Sequence, residues 1–336
     1  MKAAVLHGPR DVTLEEVETP QLMPGDVLLK VKACGICGSD LHAYKHGLFT
    51  EGLGAPVESG LVLGHEYSAE VAEINGQPEG FKVGDRVVCM INGGNAEYVK
   101  VPSLWLPAIL PIPKEVSFEE AATTEPLACA LHAVHLANMR GDETVVVLGV
   151  GVIGLGVIQA LKAVSVPKMI VAVDVSDTRL AAATDVGADT IINARTQDIY
   201  QAIFALTGLM PSSLETWLAA GADVVFDCAG ASREEDGASS LQQAVMMTKE
   251  KGRVVLVSLS ERPVEIEANA IMRKSLMVIG SYGSTLEDFA EALDLMARRK
   301  VERKRLITHE FPLDQAAEAY EVQVDVDSAI KVLLKP

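Results

Sequence analysis

The stretch Cys34-Gly-Ile-Cys37-Gly-Ser-Asp-Leu-His42 gathers two thiols, a hydroxyl, a carboxylate and an imidazole into one short segment. A Cys-x-x-Cys by itself is a zinc half-site, a redox pair or a coincidence. No second Cys-x-x-Cys exists in the chain. A closed four-thiolate zinc site therefore cannot be built by the usual pairing, which leaves a mixed site with imidazole or carboxylate ligands. Gly64-His65-Glu66, where a turn meets a strand-like run, and Glu125, just before Pro126, supply the candidates. One thiolate, one imidazole and one carboxylate around zinc keep a fourth position open for water or substrate, which is what catalysis needs. Cys34 reads as a core residue. Cys129 and His132 share a helical face with Glu125, but the set around Cys37 and His65 already accounts for a metal. His135 and Glu97 carry no separate case.

A second constellation begins at Thr144. Thr144-Val-Val-Val-Leu-Gly-Val-Gly-Val-Ile-Gly154 is a strand running into a G-x-G-x-x-G turn that opens a helix, and Asp174 ends the next strand twenty residues after Gly154. The glycine pattern alone is weak, since three glycines beside a buried strand are often simple packing. With strand, helix and acidic residue all in place it predicts dinucleotide binding. Gly149 makes the tight turn, Gly151 lets the backbone approach the pyrophosphate, and Gly154 lets helix and strand pack closely. Val152 and Ile153 open the helix, whose N-terminus carries partial positive charge. A carboxylate at Asp174 accepts from the ribose 2′-hydroxyl and repels a 2′-phosphate, so NAD is expected over NADP. Arg179 has three readings: a contact to the adenosine ribose, an aid to a phosphate, or a solvated helix residue.

These groups need a scaffold, and the pattern along the chain supplies one. Up to about residue 101 the sequence reads as short strands separated by Gly, Pro and Asp turns. From about residue 117 helices alternate with strands: a helix over 118–138, a strand over 144–148, a helix from 153 and a strand over 169–173. Further buried strands are expected at 222–227, 252–259 and 276–280, an amphipathic helix at 286–299 and a last strand at 305–311. The fold class is thus α/β, a doubly wound parallel (Rossmann) sheet beside a mainly β domain. Residues 209–220 read as a small extra helix without an assigned function.

Composition removes whole classes of function. With 336 residues and 49% hydrophobic content the chain buries a large core over about two domains. Its formal charge of -17 repels phosphate backbones and anionic lipid, so neither nucleic acid nor a membrane surface is an expected partner. Residues 145–161 are nearly all apolar, yet their glycines fit a strand, turn and buried helix better than a membrane span. Five cysteines without framework spacing, and a first segment lacking a signal-peptide core, lead to the expectation of a reducing, cytoplasmic setting.

Taken together, Cys37-Gly-Ser-Asp-Leu-His42, Gly64-His-Glu66, Gly84-Asp-Arg-Val87, Glu125-Pro-Leu127, the turn from Gly149 to Gly154, and Asp174 with Arg179 cover nearly the whole chain. In these motifs the chain resembles the zinc-containing medium-chain alcohol dehydrogenases, within them the sorbitol and threonine dehydrogenase branch. The resemblance implies a GroES-like catalytic domain over 1–126, rejoined by 282–336, and a dinucleotide-binding domain over 127–281. It makes Cys37 and His65 zinc ligands, with Glu66 or Glu125 completing the set and the two able to exchange. It places Ser39 beside the substrate oxygen, Asp40 behind the His65 ring, and His42 at the outer end of a proton relay. Taken singly, a Ser or Asp there is ordinarily a turn former and a His ordinarily solvated. The resemblance also implies a homo-oligomer, dimer or tetramer. One departure stands out: between Arg86 and Tyr98, where most relatives insert four cysteines around a structural zinc, there is only Cys89. One catalytic zinc and no structural zinc are expected.

The implied reaction is reversible hydride transfer between NAD and a small secondary alcohol or polyol. Two rivals share the fold: a zinc-free quinone or enone reductase, and a nucleotide-binding protein without turnover. Sugar alcohols, inositols, 2,3-diols and threonine-like amino alcohols all remain admissible substrates, with Tyr44, Phe49 and Tyr282 as candidate lining residues.

Overall fold

The computed structural model describes residues 1–48, 50, 60–76, 80–211, 218–230 and 237–336. Contacts divide the chain into two units, Met1–Pro126 with Phe289–Pro336, and Leu127–Asp288.

In the first unit a seven-stranded sheet is organised by the strand Val27–Gly35, whose residues alternate into a core with Val87, Cys89 and Val101. This strand pairs antiparallel with Glu66–Ile74, with Tyr98–Val101 and with Lys331–Lys335. The register places Gly35 opposite both Glu66 and Leu333. Consequently the chain leaving the sheet toward Cys37, the chain entering it from His65, and the start of the last strand all meet at one sheet end. A second cluster, with Leu6, Ile36, Tyr44, Tyr320 and Val332, covers the neighbouring face. Cys34 is fully buried in the sheet core.

The second unit holds six parallel strands in the order Thr190–Asn193, Met169–Asp174, Thr144–Leu148, Ala222–Asp227, Thr248–Leu256, Met277–Gly280. Numbered along the chain within this sheet, that is 3-2-1-4-5-6, the doubly wound order whose direction reverses beside the first strand. Strand residues 144–148 are all buried, as a parallel sheet covered on both faces requires. Among the described residues no helix is long and apolar enough to cross a membrane.

Three local expectations need correction. The helix expected over 118–138 is two, Phe118–Ala121 and Thr124–Ala137, because the Thr123 and Thr124 hydroxyls bond back to Glu120 O and Ala121 O and break the run. The expected helix over 209–220 is instead a pair of short antiparallel strands, Leu209–Pro211 and Leu218–Ala220, and the segment between them lies outside the described residues. The strand expected to be buried at 276–280 is Met277–Gly280 at the sheet edge, with Met277 and Val278 each 43% exposed because only one neighbouring strand covers it; the segment after Cys37 is a helix, Gly38–His46, that ends on Gly47 at φ 64°.

Candidate active site

The helix Gly38–His46 begins where the central strand ends, and Asp40 is the residue that sets that start. Its Oδ2 accepts from the backbone N–H of Cys37 at 3.0 Å, while Oδ1 lies 3.8 Å from His65 Nδ1. One buried carboxylate thereby faces both the Cys37 segment and the His65 ring. Ser39 and His42, three residues apart, share a face of this helix, and both are half-buried.

His65 is held from the other side by Gly64, which sits at φ 94° with its N-terminal loop against the 93–95 turn. Gly94 N–H donates to Gly64 O and Asn95 N–H donates to Leu63 O. A Cβ on Gly64 would fall 2.6 Å from Asn95 Oδ1 and 2.7 Å from Cys34 Sγ, so only glycine allows the approach. Asn95 in turn donates to the Tyr320 hydroxyl at 2.8 Å.

Cys37, His65 and Glu66 each offer a ligand atom, and these atoms all lie within 4.8 Å of one another. Glu125 is not in that set. It lies in the first turn of the Thr124–Ala137 helix, near enough for its charge to act on both Cys37 and His65. Burial pushes the Cys37 thiol up, and the Glu66 carboxylate adds to this. Burial works against a charged His65, but Cys37 and Asp40 outweigh it and hold the ring well above the usual imidazole range. Burial likewise raises Asp40.

Glu66 is the residue that tests whether a cation fits. It is 1% exposed; Oε2 accepts from Lys331 Nζ at 2.6 Å, whereas Oε1 is buried and accepts no hydrogen bond. A buried carboxylate oxygen left without a partner costs about 1–3 kcal/mol or more. A cation shared with a thiolate and an imidazole removes that cost, and three mixed ligands with an open position match catalytic zinc.

In the second unit the glycine turn lies at the reversal of strand order. Gly149 has φ 79°, and a Cβ there would meet Ala229 Cα, just past the strand Ala222–Asp227, at 2.7 Å. A Cβ on Gly154 would meet Gly149 O at 2.0 Å, so the Val152–Val164 helix packs against its own entry turn only as glycine. Gly151 is open, with the Arg179 guanidinium 3.7 Å from where its Cβ would be. The backbone at Gly151, Val152 and Ile153 forms the first turn of the helix, leaving amide N–H groups for an anion. Asp174 ends its strand buried, with Oδ1 accepting from Val175 and Ser176 N–H at 2.8 and 2.9 Å.

Among the suggested lining residues, Tyr44 is 2% exposed, packs on Tyr320 and donates to Glu321, so it is a core residue. Tyr282 is 87% exposed, and Phe49 lies outside the described residues. His132 and His135 face Asp288: their Nδ1 atoms lie 2.9 and 2.8 Å from its two oxygens. Sequence reasoning missed Lys331, Asn95 and Gly35. The signal for Lys331 was present, a cation opening the apolar run Val332–Leu334, but its partner lies 265 residues away.

Residues 152–298 match the family described as zinc-binding dehydrogenase, and residues 23–114 match the alcohol dehydrogenase GroES-like domain. The chain is 33% identical to (R,R)-butanediol dehydrogenase of Bacillus subtilis (strain 168) over 100% of both chains. It is 32% identical to D-xylulose reductase of Saccharomyces cerevisiae, covering 95% of this chain and 93% of that one. A solved structure from Sinorhizobium meliloti 1021, bound to NADP, superimposes with a TM-score of 0.82 at 29% identity, covering 100% of this chain and 99% of the other.

Proposed function

The chain belongs to the zinc-binding alcohol dehydrogenase family, oxidoreductases acting on CH-OH groups, and from that premise we propose that it uses NAD and a single zinc ion to interconvert a small secondary alcohol or polyol with its ketone. The observation that carries this is the buried Cys37, His65 and Glu66 set with its orphaned Glu66 oxygen.

Zinc bound there supplies a Lewis acid that lowers the pKa of an alcohol oxygen toward neutrality. The reaction removes a hydride and a proton from a CH-OH group, and the chain's own residues handle the proton. Ser39 Oγ, on the helix capped by Cys37, takes it at the substrate oxygen while releasing its own hydroxyl proton outward. His42, one turn further along the same face, stands as the outer acceptor toward solvent. Asp40 acts behind the ligands, tying the Cys37 backbone and facing the His65 ring. In the nucleotide unit the glycine turn binds the pyrophosphate, and Asp174 supports NAD over NADP. Glu125, close enough to act on Cys37 and His65 by charge, is the alternative carboxylate.

NAD reduction measured with a panel of sugar alcohols, inositols, 2,3-diols and amino alcohols, with zinc content determined on the same sample, tests the proposal. Turnover of at least one class by zinc-containing protein is expected. Active protein without zinc that reduces quinones or enones instead would transfer the case to the zinc-free reductase.

A further inference from the structure

Lys331 opens the last strand of the sheet and is 1% exposed. Its ammonium donates to Glu66 Oε2 at 2.6 Å and to the carbonyl oxygen of Ile36, the residue before Cys37, at 2.7 Å. One cation thus ties together two segments that carry ligands. Space for the pair is reserved in the sheet: a Cβ on Gly35 would lie 2.4 Å from Glu66 Oε2 and 3.3 Å from Lys331 Cδ. A purely structural ion pair buried this deeply would be expected to satisfy both carboxylate oxygens, since an unmet one is costly. Here Oε2 is taken and Oε1 is left.

We infer that Lys331 is a positioning residue for the metal centre: by holding Glu66 Oε2 it restricts Glu66 to one-oxygen ligation through Oε1 and so keeps a coordination position open for the alcohol. The inference rests on Cys37, His65 and Glu66 being a metal site. Without the ammonium, Oε2 is free to turn onto the cation, and the carboxylate takes two positions where it had one. A guanidinium in its place acts in the opposite sense, because its planar fork pairs with both carboxylate oxygens and withdraws Glu66 from the cation.

Zinc affinity by chelator competition and the visible absorption of cobalt-substituted protein separate these cases without reference to activity. Lys331→Met is expected to tighten zinc by about tenfold, since a buried unit charge beside the site is removed, and to weaken the cobalt absorption as coordination number rises. Lys331→Arg is expected to loosen zinc by about tenfold by engaging both oxygens. If Lys331→Met does not fold, Lys331→Arg keeps the buried charge and carries the comparison against wild type, loosening supporting the inference. Zinc affinities that shift in the same direction in both variants, or in neither, would overturn it, whatever happens to the melting temperature. Wild-type protein that takes up neither zinc nor cobalt overturns the metal-site reading itself, and the inference with it.

Discussion

The backbone N–H of Val150 donates a 2.7 Å hydrogen bond to Oδ2 of Asp174, so the carboxylate that closes one strand also holds the glycine turn that follows its neighbour. With the Val175 and Ser176 N–H groups on Oδ1, Asp174 accepts three backbone bonds while buried. Asp174→Ala is therefore expected to do two things. It should narrow the gap between NAD and NADP by removing the charge that repels a 2′-phosphate, and it should lower stability by about 1–3 kcal/mol through orphaned amides. Steady-state kinetics with both cofactors and a thermal melt check this; wild-type protein that reduces NADP faster than NAD at equal concentration would sink the specificity argument.

His42 shares its helical face with Ser39, three residues nearer the Cys37 end. His42→Ala is expected to lower kcat by about 10²-fold, the usual contribution of a positioned proton acceptor, with recovery in buffers of small exogenous bases such as imidazole. The pH profile of kcat should lose its limb on the acid side. An unchanged profile and no rescue would remove His42 from the reaction.

Much of this architecture was legible in local sequence. Five of the six parallel strands announce themselves as apolar runs, while the edge strand Thr190–Asn193 does not; the glycine turn is legible because its steric demands act within a few residues: Gly149 O blocks a side chain at Gly154. The candidate ligands Cys37, His65 and Glu66 were legible as types, but the sequence left Glu66 and Glu125 equivalent. What groups Glu66 with Cys37 and His65 is sheet register, which sets it opposite Gly35 at the strand end that releases Cys37. Register is a long-range property, as is the pairing of Lys331 with Glu66, so neither leaves a local trace. The 209–220 segment shows the opposite failure, where a weak helical pattern gives way to two short paired strands.

Asp288 shows how a site unrelated to the proposed chemistry shapes pH stability. Burial alone would raise its carboxyl, but the Thr285 N–H and hydroxyl, with the His135 and His132 rings, hold it below the usual carboxylate range. A carboxyl with a depressed folded pKa contributes stability that is full above the unfolded value of about 4 and is lost as pH falls through the folded value. Asp288→Asn should cost about 1–3 kcal/mol at pH 7, and the gap from wild type should close below about pH 4. Melts at pH 7 and pH 3.5 decide it; a gap that stays constant would assign the loss to packing.

Gly64 makes the geometry of His65 testable from behind. A methyl group at φ 94°, within 2.7 Å of both Asn95 Oδ1 and Cys34 Sγ, must displace the loop that delivers the imidazole. Gly64→Ala is expected to cost about 1–3 kcal/mol and to weaken zinc retention during dialysis against chelator. Cys34→Ala in the same chain should recover part of the loss by opening room on one side. If Gly64→Ala alone retains zinc like wild type, the steric argument for this loop fails.

The last expectation is that each chain binds one zinc, and that this zinc serves turnover more than folding. The first half rests on the open set of Cys37, His65 and Glu66, together with the poverty of residues 86–98, which hold Cys89 as their single thiol. Cys89 is fully buried among Tyr67, Val71 and Val87 in the sheet core, so it is placed for packing and not for a surface metal lobe. Metal in a closed four-ligand site supplies folding free energy directly, whereas here the unit that holds the ligands has its own apolar clusters. Removing zinc with a strong chelator should then abolish activity while leaving far-UV circular dichroism unchanged and the melting temperature within a few degrees, and added zinc should restore turnover. Elemental analysis decides the stoichiometry. Two tightly held zinc ions per chain would falsify the single-site expectation, and a chain that unfolds as zinc leaves would show that the Cys37, His65 and Glu66 set carries the fold as well as the chemistry.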